Sequence, residues 1–115
     1  YDADTSTASQ NRIDYFGEDL SRWPEISTIG NVSNVETPVM FTVSEFDLNR
    51  SLVGTAALIN EYAEKAGQLP RFVQLMRHNH YSPNPSIGTQ DTQLSAAILQ
   101  FVSSVIGNQE LLTAR

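Results

Sequence analysis

Two polar clusters, each at the end of an apolar run, carry the side chains best suited to moving protons. The first is Ser44-Glu45-Phe46-Asp47 and the second is His78-Asn79-His80-Tyr81-Ser82. A carboxylate that accepts the Nδ1 proton of a histidine fixes the tautomer of the ring. It also stabilises the imidazolium formed when Nε2 takes a proton from a hydroxyl nucleophile. Glu45 and Asp47 are the candidate carboxylates for such a pair, and His78 and His80 the candidate imidazoles. Plainer roles stand beside these: an aspartate after a strand often closes a turn or caps a helix, and a histidine at a strand end is often structural. The two histidines with scattered carboxylates fall short of the three or four ligands that zinc takes. With no cysteine there is no thiolate either, so neither a metal nor a cofactor is expected.

The elements that must position these clusters are legible from hydrophobic pattern. A strand is expected at about 38–44, where Pro38 to Val43 are almost uniformly apolar or β-branched, the pattern of a strand covered on both faces. A helix follows at about 51–66, with Asn49 or Ser51 as its cap and Leu52, Ala56, Ile59 and Ala63 facing inward. Gly67 supplies a left-handed stop and Pro70 prevents continuation. A second strand is expected at about 71–77. A loop then runs to Thr89, and a last helix at about 91–106 presents Leu94, Ala97, Ile98, Phe101, Val102 and Val105 as its stripe, with Gly107 ending it. Strand, helix, strand, helix is an α/β order, and the crossover makes parallel strands the default. In open parallel sheets functional groups gather beyond the carboxyl ends of the strands, which is where both clusters fall. Residues 1–36 read as a polar, turn-rich lead-in with short helices around Arg12 to Trp23, and residues 37–115 as the βαβα portion.

At this level of detail TPVMFTVSEFDLN resembles the strand-then-acid segment of carboxylesterases and of the related hormone-sensitive-lipase-like and kynurenine-formamidase-like enzymes. QLMRHNHYSPNPSIGTQDTQL resembles their strand-then-histidine segment and the start of the closing helix. The resemblance implies the C-terminal fragment of an α/β-hydrolase fold, parallel strands with flanking helices. It implies Asp47 as the catalytic acid and His80, followed by an aromatic residue, as the base, in the chain order serine, acid, histidine that the family keeps. Glu45 is the alternative acid and His78 the alternative base. Arg77 stands where such relatives more often have glycine. The patch Tyr15, Phe16, Gly17, Glu18 and Asp19, with Trp23 and Ser27, resembles the stretch before the acid strand, which implies Tyr15, Phe16 and Trp23 as a border of the substrate pocket.

The nucleophile is not here. The glycines stand at 17, 30, 54, 67, 88 and 107, no two of them four apart, so no Gly-x-Ser-x-Gly elbow exists in the sequence. Ser44, Ser82 and Ser86 lack that setting. The resemblance implies a serine carboxylic-ester hydrolase whose serine lies some tens of residues before Tyr1, in an N-terminal portion that this chain would need as its partner. The chain alone is expected to hydrolyse nothing, and the ester would be a small molecule. The alternative is a non-catalytic interaction or dimerisation module, in which an exposed sheet edge recruits a second copy.

Composition narrows the partners further. Thirteen acidic against seven basic residues give a net charge of −6, whereas phosphate binding needs clustered cations, so nucleic acid is not expected. No apolar run approaches the roughly 20 residues of a membrane span, and a soluble protein is expected, its compartment left open by the lack of cysteine. The tripeptides Asn31-Val32-Ser33 and Asn49-Arg50-Ser51 match the glycan acceptor pattern, a match that arises readily by chance.

Overall fold

Two parallel strands joined through a long helix carry both polar clusters to one end of a sheet. The computed structural model describes residues 9–113. Strand β1 is Met40–Phe46, helix α3 is Asn49–Ala66, strand β2 is Arg71–Asn79 and helix α5 is Gln93–Thr113. Before them come α1 (Gln10–Phe16), a 3-10 turn at Leu20–Arg22 and α2 (Trp23–Ile26), and between β2 and α5 lies the single turn α4 (Pro83–Ser86). β1 and β2 are hydrogen-bonded neighbours running parallel, as expected of a strand, helix, strand order.

The chain divides into two compact units. The first joins the described residues up to Thr37 to Val53–Leu69, which covers most of α3. Its anchor is Trp23, fully buried, with Phe16 tilted against it at 5.3 Å between ring centres and Ile13 packed alongside. The Trp23 indole N–H donates to the Gly17 carbonyl at 2.9 Å, so burying the ring leaves no polar atom without a partner. Later in the unit, the Glu61 carboxylate accepts the N–H groups of Gly30 at 2.6 Å and Val32 at 3.0 Å, and Tyr62 donates its hydroxyl to the Val35 carbonyl at 2.6 Å. Glu61 and Tyr62 thus stitch α3 to the polar residues of the lead-in. Asn31 spends its side-chain N–H groups on the Pro24 and Ser27 carbonyls.

The second unit holds Pro38–Leu52 and the residues from Pro70 onward. Its buried positions are Val43, Ser44, Leu75, His78, Ser86, Leu94 and Ala97. Val43 and Ser44 are adjacent and point to opposite faces of the strand, so β1 is covered on both sides only at its middle. Thr42 is exposed, and Phe46 is 64% exposed, which corrects the expectation of a strand buried throughout.

Three element boundaries differ from the sequence reading, each for a local reason. The carbonyl that opens α3 belongs to Leu48, which accepts from Ser51 at 2.8 Å and Leu52 at 3.1 Å, upstream of the expected caps. α5 runs through Gly107 to Thr113. A glycine costs a helix roughly 1 kcal/mol relative to alanine but stops it only in a left-handed conformation, and Gln, Glu and Leu residues follow it. Gly67 does adopt that conformation, φ 71°, and ends α3 with its N–H on the Ala63 carbonyl at 2.9 Å. Finally, the inner faces of the helices are narrower than their stripes. Tyr62 is the buried residue of α3 while Ala56 is exposed, and on α5 Leu94 and Ala97 are buried while Ile98 and Val102 are exposed.

Candidate active site

The residues after the last pair of the sheet are Asp47 and His80. Met40 lies opposite Arg71 and Ser44 opposite Leu75, a constant offset of 31, and then Phe46 lies opposite Asn79, an offset of 33. Two extra residues are therefore accommodated in β2 between Leu75 and Asn79. Had the register run on unbroken, Asp47 would have fallen level with His78. The bulge moves the match on by two, so the residue that follows the partner of Phe46 is His80, as Asp47 follows Phe46 itself.

The backbone of the bulge is paid for by side chains from both neighbours. Arg77 sits at its apex with φ 63°, a left-handed conformation unusual for a residue with a Cβ. Its N–H donates to Glu45 Oε2 at 2.7 Å. On the other side the Gln93 amide takes both polar groups of Met76, accepting its N–H at 2.8 Å and donating to its carbonyl at 3.0 Å, as a neighbouring strand would. Glu45 is thereby engaged with backbone rather than with either histidine.

His80 Nδ1 lies 2.7 Å from Asp47 Oδ1. The same oxygen accepts the Leu48 N–H at 2.8 Å, and Oδ2 accepts the Ser44 N–H at 3.3 Å, so the carboxylate is fixed by the turn it closes. Its side chain is 10% exposed and that of His80 40%. Burial pushes the Asp47 carboxyl upward. The bonds from His80, Leu48 and Ser44 outweigh that and hold it below the ordinary aspartate value of 3.8. An ionised Asp47 only accepts, so the His80 proton belongs on Nδ1. Nε2 then carries the lone pair, and no described residue bonds it. The Tyr81 ring stands edge-on to the imidazole at 5.0 Å between centres and is itself exposed.

His78, the other candidate base, is 4% exposed. Its Nδ1 is 2.9 Å from Ser82 Oγ, and its Nε2 is 3.0 Å from Asp91 Oδ2, off the line of a well-formed hydrogen bond. Burial leaves neither nitrogen accessible to a substrate. Tyr15, Phe16 and Trp23 belong to the first unit, where Phe16 and Trp23 are core and Tyr15 is 72% exposed. Asp91 and Gln93 went unnoticed as site residues in the sequence; their signal is two hydrogen-bonding side chains within three positions at the start of a helix that follows the histidine loop. Ser44 is buried, and Ser82 and Ser86 are engaged locally, Ser86 with the Pro83 carbonyl at 2.6 Å.

Among the described residues no three His, Asp or Glu side chains gather as a metal site requires, and no helix is long and apolar enough to cross a membrane. A carboxylate, an imidazole oriented by it and an open Nε2 can take a proton from a hydroxyl or water brought to the ring. Compared with known proteins, the chain matches no family model and no curated protein.

Proposed function

We propose that the chain is the C-terminal portion of a serine carboxylic-ester hydrolase of α/β-hydrolase type. Asp47 and His80 are the acid and base of its triad, and the nucleophilic serine lies outside this sequence. The observation that carries the reading is the 2.7 Å contact between His80 Nδ1 and Asp47 Oδ1 beyond the ends of two parallel strands. The strand, helix, strand, helix order and the chain order of acid before histidine support it.

In this reading the serine hydroxyl gives its proton to His80 Nε2 as its oxygen attacks the ester carbonyl. The imidazolium, steadied by Asp47, returns that proton to the departing alkoxide, leaving an acyl-enzyme. Water then repeats the sequence, giving its proton to Nε2 and releasing the acid and the free serine. Ester substrate and the N-terminal portion of the hydrolase are the partners this chemistry needs. In the complete protein His80→Ala lowers kcat for a short-chain p-nitrophenyl ester by about 10⁴-fold or more. Wild-type turnover in that variant ends the assignment.

A second reading, an interaction or dimerisation module, draws on a different observation. Parallel sheets are ordinarily larger and covered on both faces, whereas here two strands form the described sheet and Phe46, Phe72 and Met76 on them are 64%, 48% and 47% exposed. Sedimentation separates the readings: a stable dimer favours the module, and a strictly monomeric folded species counts against it.

A further inference from the structure

We propose that His78 is a positioning residue for His80, acting through Ser82, and that the two histidines hold opposite tautomers. What the positioning serves rests on the reading of His80 as a base; the geometry does not.

His80 sits inside a small closed turn. Asn79 Oδ1 accepts the N–H groups of Tyr81 at 2.9 Å and Ser82 at 3.1 Å, and Ser82 Oγ accepts the Asn79 N–H at 3.0 Å. Asn79 and Ser82 therefore bracket His80 from either side by reciprocal bonds. One further contact ties this turn to the interior: Ser82 Oγ is 2.9 Å from Nδ1 of the buried His78.

The directions of these bonds follow from what each group can do. Asp91, an acceptor when ionised, lies 3.0 Å from His78 Nε2 and favours a proton there. The Gln93 N–H at 3.2 Å supports the ionised form of Asp91. With its proton on Nε2, neutral His78 offers a lone pair at Nδ1, so the Ser82 hydroxyl donates to it. A remaining lone pair on Ser82 Oγ accepts the Asn79 N–H. The chain runs in one direction, from Asn79 N–H to Ser82 hydroxyl to His78 Nδ1, with His78 Nε2–H facing Asp91. His80 is the reverse case, its Nδ1–H given to Asp47 and its Nε2 open. Without the His78 ring the Ser82 hydroxyl is free to rotate and the bracket loses its fixed point, so His80 no longer arrives at Asp47 in one orientation.

The sequence contains two histidines, which makes ring spectra decisive. On this 115-residue chain with ¹⁵N-labelled histidine, the two rings are assigned by the signal lost in His78→Gln and in His80→Gln. Long-range ¹H–¹⁵N spectra then give the tautomers: Nε2–H for His78 and Nδ1–H for His80 are expected. In Ser82→Ala and in His78→Gln the His80 Nδ1 proton exchanges with water at least about ten-fold faster and moves upfield, while Ser82→Thr, which keeps the hydroxyl, restores the wild-type signal. A His78 that carries its proton on Nδ1 in the wild-type protein overturns the proposal, whether or not the variants fold. So does an unchanged His80 signal in a variant with a native amide spectrum. None of these readouts depends on ester hydrolysis, so a failed triad assignment in the His80→Ala assay leaves this result distinct.

Discussion

At the scale of single residues, the charge on Asp47 is what separates a fixed imidazole from a rotating one. Asp47→Asn keeps an acceptor oxygen for the Leu48 N–H but offers His80 an amide in place of a carboxylate, so the ring loses the preference that keeps Nε2 unprotonated. On the proposed reading, ester hydrolysis by the complete protein falls by about 10⁴-fold, read from kcat, while the folded chain loses about 1–2 kcal/mol. The same carboxyl links folding to acidity. In the unfolded chain it titrates near about 3.9, and in the folded chain its value is lower. As the pH falls the unfolded state binds the proton first. The stability that Asp47 contributes is therefore present in full above that range and is lost as the pH falls through the folded value. Asp91 and Asp19 are shifted in the same direction, so urea midpoints drop below about pH 4, and drop less steeply in Asp47→Asn.

At the scale of elements, the bulge in β2 is the feature that hydrophobic pattern could not disclose. The apolar runs marked both strands, the spacing of Leu52, Ile59 and Ala63 marked the helix between them, and Gly67 marked its end. The register near the strand ends left no comparable trace. A bulge is a matter of how the strand pairs and not of its residue types, so Arg71 to Asn79 reads as one unbroken strand. That is why His78 and His80 stood as alternatives from sequence alone. The one hint was Arg77, where the proposed α/β-hydrolase origin would lead one to expect glycine, and φ 63° is a conformation that glycine adopts freely. Arg77→Gly relieves that conformation at the cost of a freer unfolded chain, for a net gain of about 0.5–1 kcal/mol in urea unfolding. Glu45→Ala acts oppositely, leaving the Arg77 N–H without its acceptor and costing about 1 kcal/mol. Gly67→Ala isolates the backbone contribution, because an added Cβ there meets nothing within 4 Å; a loss of about 1 kcal/mol measures the left-handed turn alone.

At the scale of the whole molecule, the two units are stabilised in different ways. The first has a dry aromatic anchor, and Trp23→Ala costs it about 3–5 kcal/mol by circular dichroism in urea. The second has few buried side chains among its described residues and is held near the carboxyl ends of its strands by polar bonds of Asp47, Glu45, His78, Asn79, Ser82 and Gln93. Its apolar surface on the strands is the counterpart of that thin core, and Phe72→Lys lowers any self-association seen by sedimentation without disturbing the Asp47 and His80 contact. The division also explains what composition could not show, since Glu61, Tyr62 and Lys65 look from sequence like an outer helix face and instead bind the backbone near residues 30–37. The offset of two residues carries one more consequence, for how this chain length can drift. Removing Met76 and Arg77 together would return β2 to a constant offset of 31 and still leave Asn79 opposite Phe46, without the left-handed residue. The two residues are thus a reserve of length, which the strand can give up at that site while keeping the ladder pair from which Asp47 and His80 follow.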